Sequence, residues 1–228
     1  MMCVLLEIPM NSLDRIASPQ IAHAWNLNDT EEVRKIYQMS SRYMFFAGSV
    51  LFCLLWSAID LVYMFLPPEY SQGRTAFFVI AVASLINLLT GINSSLITFS
   101  RKYFVITFLL VVLMVVAVVA NGILIPLYGI TGAAIATMLA LATFNLLKCA
   151  YIAWRFRMQP FSSHTALIAV AFALCMGVIG VLPADLHPLS RTFGGTALTL
   201  AVFVSLNARF KMIPEINKLL RRIGVRKA

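Results

Sequence analysis

The chain has 228 residues, of which 61% are hydrophobic and 12% charged, and its mean hydropathy is +0.87. This composition is far from that of a soluble globular domain and predicts an integral membrane protein. The formal net charge of +9 could suggest nucleic-acid binding. The basic residues, however, are spread between apolar segments instead of forming one aromatic-rich patch, so anionic membrane lipids are the expected partner and nucleic acid is not.

The first 42 residues are predicted to be a partial helix followed by a cytoplasmic connecting segment. The apolar start is interrupted by Glu7 and lacks a basic leader or a small-residue cleavage site, so it is not a signal peptide. It is typical of the last turns of a membrane helix whose first half is absent, or of a short interfacial leader. Further on, Asp29 is expected to cap a short helix, with Glu32 reaching back to complete a capping box.

Six apolar segments follow, each of about the 17–25 residues that a helix needs to cross the hydrocarbon core. They cover residues 43–66, 75–99, 103–125, 131–154, 164–183 and 192–208. The predicted fold class is therefore an all-α integral membrane protein with about six transmembrane helices spanning 43–208. Residues 209–228 alternate Lys and Arg with apolar residues at helical spacing, which predicts a basic amphipathic tail on the inner leaflet.

The distribution of positive charge predicts the orientation. Of the 18 Lys and Arg residues, all but Arg74 and Arg191 lie in one alternating set of gaps between the apolar segments. Since translocation of positive charge is disfavoured, that side is expected to be cytoplasmic, with both termini inside the cell.

Polar residues within the apolar segments are the candidate substrate path. These candidates are Asn87, Asn93, Ser94, Asn121 and Asn145. Polar groups in hydrocarbon need a partner or a water-filled cavity, so these residues indicate either close helix packing with interhelical hydrogen bonds or a cavity lining.

Two charged residues also fall within or beside predicted spans. Asp60 is expected near the headgroups, in a structural or a functional role. Lys148 is expected to extend its amine toward the cytoplasmic surface.

Catalytic and metal chemistry are not indicated. The sequence has no Gly-rich phosphate loop and no recognisable nucleophile with its base. Its histidines and cysteines lack metal-ligand spacing; they are His23, His164 and His187, and Cys3, Cys53, Cys149 and Cys175. We therefore expect no catalytic residue, metal or cofactor.

The connection between the third and fourth segments, residues 121–137, is the most specific string in the chain. Pro126 is expected to stop one helix, Gly129 to supply a turn, and Gly132 with its neighbouring alanines to open the next helix with a small-residue face.

This string resembles a hallmark of bacterial polysaccharide flippases, the O-antigen or lipid-linked oligosaccharide translocases of the multidrug/oligosaccharidyl-lipid/polysaccharide exporter superfamily. Further stretches are similar to the family in the same order: residues 17–22, 28–29, 37–42, 68–70, 93–95 and 101–103. The resemblance runs from about residue 19 to the tail, but it corresponds only to the carboxy-terminal part of a two-lobed flippase.

The resemblance implies a protein of the bacterial inner membrane that translocates an undecaprenyl-diphosphate-linked oligosaccharide by rocking two lobes around a central site. It implies no catalysis, and none of the family's diphosphate-binding residues can be assigned to a position here. The chain is expected to be a truncated product, the product of a gene whose start is assigned too late, or a subunit whose partner is a separate amino-terminal lobe. The alternatives are a membrane-embedded enzyme of glycan assembly, such as a polymerase or acyltransferase, and a non-transporting membrane subunit.

Overall fold

The structure, a computed structural model, describes residues 4–67, 73–100, 102–181 and 188–210. These residues form eight helices and no strand: α1 (Val4–Asn26), α2 (Thr30–Ser57), α3 (Ile59–Met64), α4 (Gly73–Thr90), α5 (Asn93–Thr98), α6 (Phe104–Phe156), α7 (Ser163–Val181) and α8 (Pro188–Phe210). Five helical segments are long and apolar enough to cross a membrane. The predicted all-α membrane fold is confirmed. The tail after Phe210 and the loop at residues 68–70 lie outside the described residues.

The connecting segment predicted before residue 43 is helical. α1 has 23 residues, and α2 begins at Thr30 and continues without a break into the first predicted span. As expected, the Asp29 side chain caps α2 by accepting a hydrogen bond of 3.0 Å from the Glu32 backbone N–H. The Asp29 backbone N–H donates to the Ala24 carbonyl, which takes the place of the predicted contact from the Glu32 side chain.

α2 is the central helix of the fold. It packs against α1, α4, α7 and α8, and its last part contacts the short α3. One apolar cluster joins its middle and end to α4, α7 and α8 through Phe52, Phe77, Ile168 and Phe203. A second cluster joins its first turns to α1, α5 and both ends of α6, and includes Tyr37 and Ile152.

α6 folds back on itself. A straight helix of 53 residues would be about 80 Å long, more than twice the thickness of a bilayer core. Instead, Gly129 has φ 56° and ψ −129°, and Gly132 lies directly against the Leu124 carbonyl. Val105 and Ile152, from opposite ends of α6, lie against the same apolar cluster. The helix therefore consists of two arms that return to the same end of the molecule.

The turn between these arms has a local cause. Gly129 adopts a positive φ that only glycine accepts readily, and Pro126 before it cannot donate a helical hydrogen bond. The first arm is mostly exposed along its length, with Phe108, Met114 and Val118 each more than half exposed. Such an apolar exposed helix is suited to contact with lipid chains.

An ion triad lies beyond the last turn of α2, whereas Lys35 and Arg155 lie at the opposite end of the molecule, near the start of α2 and the end of α6. The carboxylate of Asp60 in α3 forms ion pairs with Arg74 at the start of α4 and with Arg191 at the start of α8. The nitrogen–oxygen distance is 2.8 Å in each pair. Beside the triad, Thr192 donates to the Ser57 carbonyl. Arg74 and Arg191, the two basic residues outside the predicted cytoplasmic gaps, thus pair with the same carboxylate.

Candidate functional site

The candidate site is built around an interruption in the second predicted span. α4 ends at Thr90, Gly91 adopts φ +65°, and α5 begins at Asn93, so residues 75–99 are not one continuous helix. Ser41 of α2 donates to the Leu89 carbonyl at 2.6 Å. This bond satisfies a backbone group next to the break, as the membrane interior requires.

Gly91 is required by both conformation and space. A Cβ at this position would lie 2.9 Å from the Ser41 Cα, closer than real contacts allow. The positive φ also disfavours any L side chain. The break and the close approach of α2 to α4 therefore depend on the same glycine.

The second arm of α6 brings a buried lysine to this break. Lys148 is 2% exposed, and its Nζ donates to the Ser94 hydroxyl in the first turn of α5 at 2.9 Å. The same Nζ lies 4.0 Å from the centroid of the Phe144 ring. No salt bridge to Lys148 occurs among the described residues. The expectation that Lys148 extends to the surface was therefore wrong, because α5 meets its amine inside the protein.

Three further polar side chains lie beside Lys148. Asn93 is fully buried, and its Nδ2 lies 4.0 Å from the Cys149 Sγ. The Tyr37 hydroxyl of α2 lies 3.7 Å from the same sulfur. Within the described residues the Asn93 Oδ1 has no hydrogen-bond partner, so one buried acceptor of the site is free.

Asn145 lies one turn before Lys148 in α6 and contacts the end of α4. Its Oδ1 lies 3.2 Å from the Thr90 hydroxyl, and its Nδ2 donates to the Leu141 carbonyl of its own helix at 3.0 Å. Asn145, Lys148 and Cys149 are spaced i, i+3 and i+4, which places them on one face. We call the whole group the Lys148 cluster: Tyr37, Thr90, Asn93, Ser94, Asn145, Lys148 and Cys149.

The residue after Ser94 connects α5 to α1. The Ser95 hydroxyl donates to the Asp14 carboxylate, which also accepts from Ser18 at 3.1 Å. Consecutive residues of α5 thus contact a buried cation on α6 and a partly buried carboxylate on α1.

The structure brings together three of the five predicted substrate-path residues: Asn93, Ser94 and Asn145. Asn87 contacts the Met10 sulfur of α1 and lies outside the cluster. Asn121 donates to the Ala117 carbonyl of its own helix at 2.8 Å, on the exposed first arm of α6.

Two parts of the site were missed at the level of the sequence. The break at Gly91 was not predicted, although a glycine between two polar helical stretches is typical of a helix interruption. Lys148 was assigned to the surface, although its i, i+3 spacing from Asn145 placed both on one helix face.

The arrangement can accommodate a charge inside the protein, but it offers no group of three His, Cys, Asp or Glu side chains for a metal among the described residues. Comparisons with protein-family models, with curated proteins and with solved structures found no match for the chain.

Proposed function

We propose that this chain is the carboxy-terminal part of a polysaccharide flippase, which translocates a lipid-linked oligosaccharide across the bacterial inner membrane. The observation that carries the proposal is the interrupted helix α4–α5 with the buried Lys148 cluster around it. Secondary transporters typically place their working site at a discontinuous helix. An ionisable residue held inside a membrane protein is costly, and such residues usually serve a function.

The identity of the cargo rests on the resemblance of residues 121–137 and the other matching stretches to the flippase family. On that basis the cargo is an undecaprenyl-diphosphate-linked oligosaccharide, and no chemical step is catalysed. The charge distribution supports an orientation with both termini in the cytoplasm and basic segments on anionic lipids. The Lys148 cluster would then lie in the inner half of the membrane.

The test is glycan export in cells that lack their own flippase and carry the gene for this chain. Asn93→Leu and Asn145→Leu should strongly reduce surface glycan, because each removes an amide from the Lys148 cluster. Asn121→Leu is the matched control, since within the described part of the chain Asn121 bonds only to its own helix.

Equal export by all three variants at equal protein levels would refute the assignment of the cluster to the transport route. No export even with the unchanged chain, alone or together with an amino-terminal lobe, would refute the flippase proposal itself. Accumulation of a chemically altered glycan would favour a membrane-embedded enzyme instead.

A further inference from the structure

Lys148 is the one buried cation of the described residues for which the structure provides only neutral neighbours. Its amine contacts a hydroxyl and an aromatic ring, while Arg74 and Arg191 at the other end of the molecule share a carboxylate. A buried charge without a counter-charge is unfavourable unless it is neutralised by an ion or by loss of its proton.

The packing around the amine distinguishes these two possibilities. Ser94 and Phe144 both contact Nζ, and Lys148 is 2% exposed. Because the lysine is buried, any ligand larger than a proton would require the surrounding side chains to move. A proton needs no cavity.

Both protonation states fit the same contacts. The ammonium donates to the Ser94 Oγ and gains from the Phe144 ring, as the geometry shows. The neutral amine keeps a hydrogen bond with the Ser94 hydroxyl, which can donate as well as accept, but it loses the attraction to the ring. Loss of the proton therefore weakens the hold of Lys148 on its surroundings but keeps its contact with Ser94.

A short path for proton exchange is also present. Lys148 lies eight residues before the end of α6, about 12 Å along the helix. Its partner Ser94 is partly exposed, whereas Lys148 is not. Ser94 thus links the buried amine to the surface of the protein.

We infer that Lys148 is a proton-exchange site whose charge state controls how firmly α5 is held against α6. On release, an N–H bond of the ammonium breaks, the electron pair stays on Nζ, and the proton passes to water at the Ser94 side; uptake is the reverse. This inference deepens the proposed function, on which its role in transport rests, by assigning the residue whose charge state changes.

Three other titratable groups face this site, and each does so indirectly. Cys149 is the next residue on α6, and Tyr37 of α2 contacts the Cys149 sulfur. Asp14 of α1 is held by Ser95, the neighbour of Ser94. A change at Lys148 can therefore reach α1 through two consecutive residues of α5.

The first test is an NMR titration of the full chain in detergent micelles, with ¹³C at the lysine Cε. The chain has six lysines, and the Lys148 signal is the one lost in Lys148→Met or, if that variant does not fold, in Lys148→Arg. The lysine signals are followed from about pH 6 to pH 11, and we expect the Lys148 signal to change in a step separate from that of the other lysines. Titration together with the others, or no titration at all, would overturn the inference.

Two further experiments distinguish proton exchange from anion binding and test the role of Ser94. At fixed pH, a shift of the Lys148 signal on addition of chloride or inorganic phosphate would show an anion site and overturn proton exchange. Ser94→Ala should move the Lys148 titration, and Ser94→Thr should restore it. Thr98→Ala is the control, because the Thr98 hydroxyl donates to the Ser94 backbone carbonyl within α5 and, among the described residues, to no other group.

The link to transport is tested separately by export. Lys148→Met and Lys148→Arg should both lose most export, since neither exchanges a proton in the accessible pH range. Normal export by either variant would remove Lys148 from the transport cycle and leave the flippase proposal standing.

Discussion

Replacing Asp60 with Asn should destabilise the protein more than the loss of an ordinary surface ion pair. Asp60 of α3 connects three helices, because its carboxylate forms ion pairs of 2.8 Å with Arg74 of α4 and with Arg191 of α8. The Asp60 and Arg191 side chains are only 19% and 17% exposed, whereas Arg74 is 41% exposed. Among the described residues, Asp60→Asn therefore leaves one mostly buried guanidinium without a counter-charge.

The magnitude follows from these exposures. Removing one partner of a buried pair costs about 3–5 kcal/mol, and the residual exposure of Arg191 reduces this to about 2–3 kcal/mol. The contact with Arg74 adds about 0.2–1 kcal/mol, because an exposed pair is screened by solvent. We expect Asp60→Asn to lower the free energy of unfolding by about 2–4 kcal/mol in total.

The assay is equilibrium unfolding in mixed detergent micelles, with Glu32→Gln as control. Glu32 pairs with Lys35 at 3.7 Å, and both side chains are more than half exposed, so this variant should cost less than about 0.5 kcal/mol. Arg191→Gln should cost more than Arg74→Gln. The double variant Asp60→Asn with Arg191→Gln should be no less stable than Asp60→Asn alone, because it removes the unpaired cation.

Equal costs for Asp60→Asn and Glu32→Gln would refute the reasoning. So would a double variant whose cost is the sum of its two single costs, since the pair would then have no coupling.

Two glycines give further predictions. Gly91→Ala should cost about 2–4 kcal/mol, because it combines a positive φ with a Cβ pressed against Ser41, whereas Gly177→Ala, with open space around it, should be neutral or slightly stabilising in the same unfolding assay. Gly195→Leu should cost about 1–3 kcal/mol or more, because Gly195 packs directly on Ser57 of α2, and the adjacent Gly194→Leu is the control with nothing nearby. Similar costs within either pair would mean that the close helix contacts do not hold the fold.

The sequence predicted the features that depend on local or averaged properties. The apolar segments, the cap at Asp29 and the turn at Gly129 follow from hydropathy and from the conformational preferences of single residues. The interruption at Gly91 was not predicted, because a hydropathy average over about 19 residues is unchanged by one positive φ. The ion triad was not predicted either, since it depends on the relative positions of α3, α4 and α8.

The burial of Lys148 shows why a hydropathy average does not predict the candidate site. A lysine eight residues from a helix end can normally extend its amine to the membrane surface, and hydropathy gives no sign that this one does not. Here the short α5 occupies that route and offers Ser94 to the amine. The burial of Lys148 thus depends on the helix break, because a continuous α4 would place Ser94 in a different direction, away from the Lys148 amine. Any change that straightens the break should therefore also release Lys148, so Gly91→Ala is expected to alter the Lys148 titration as well as stability.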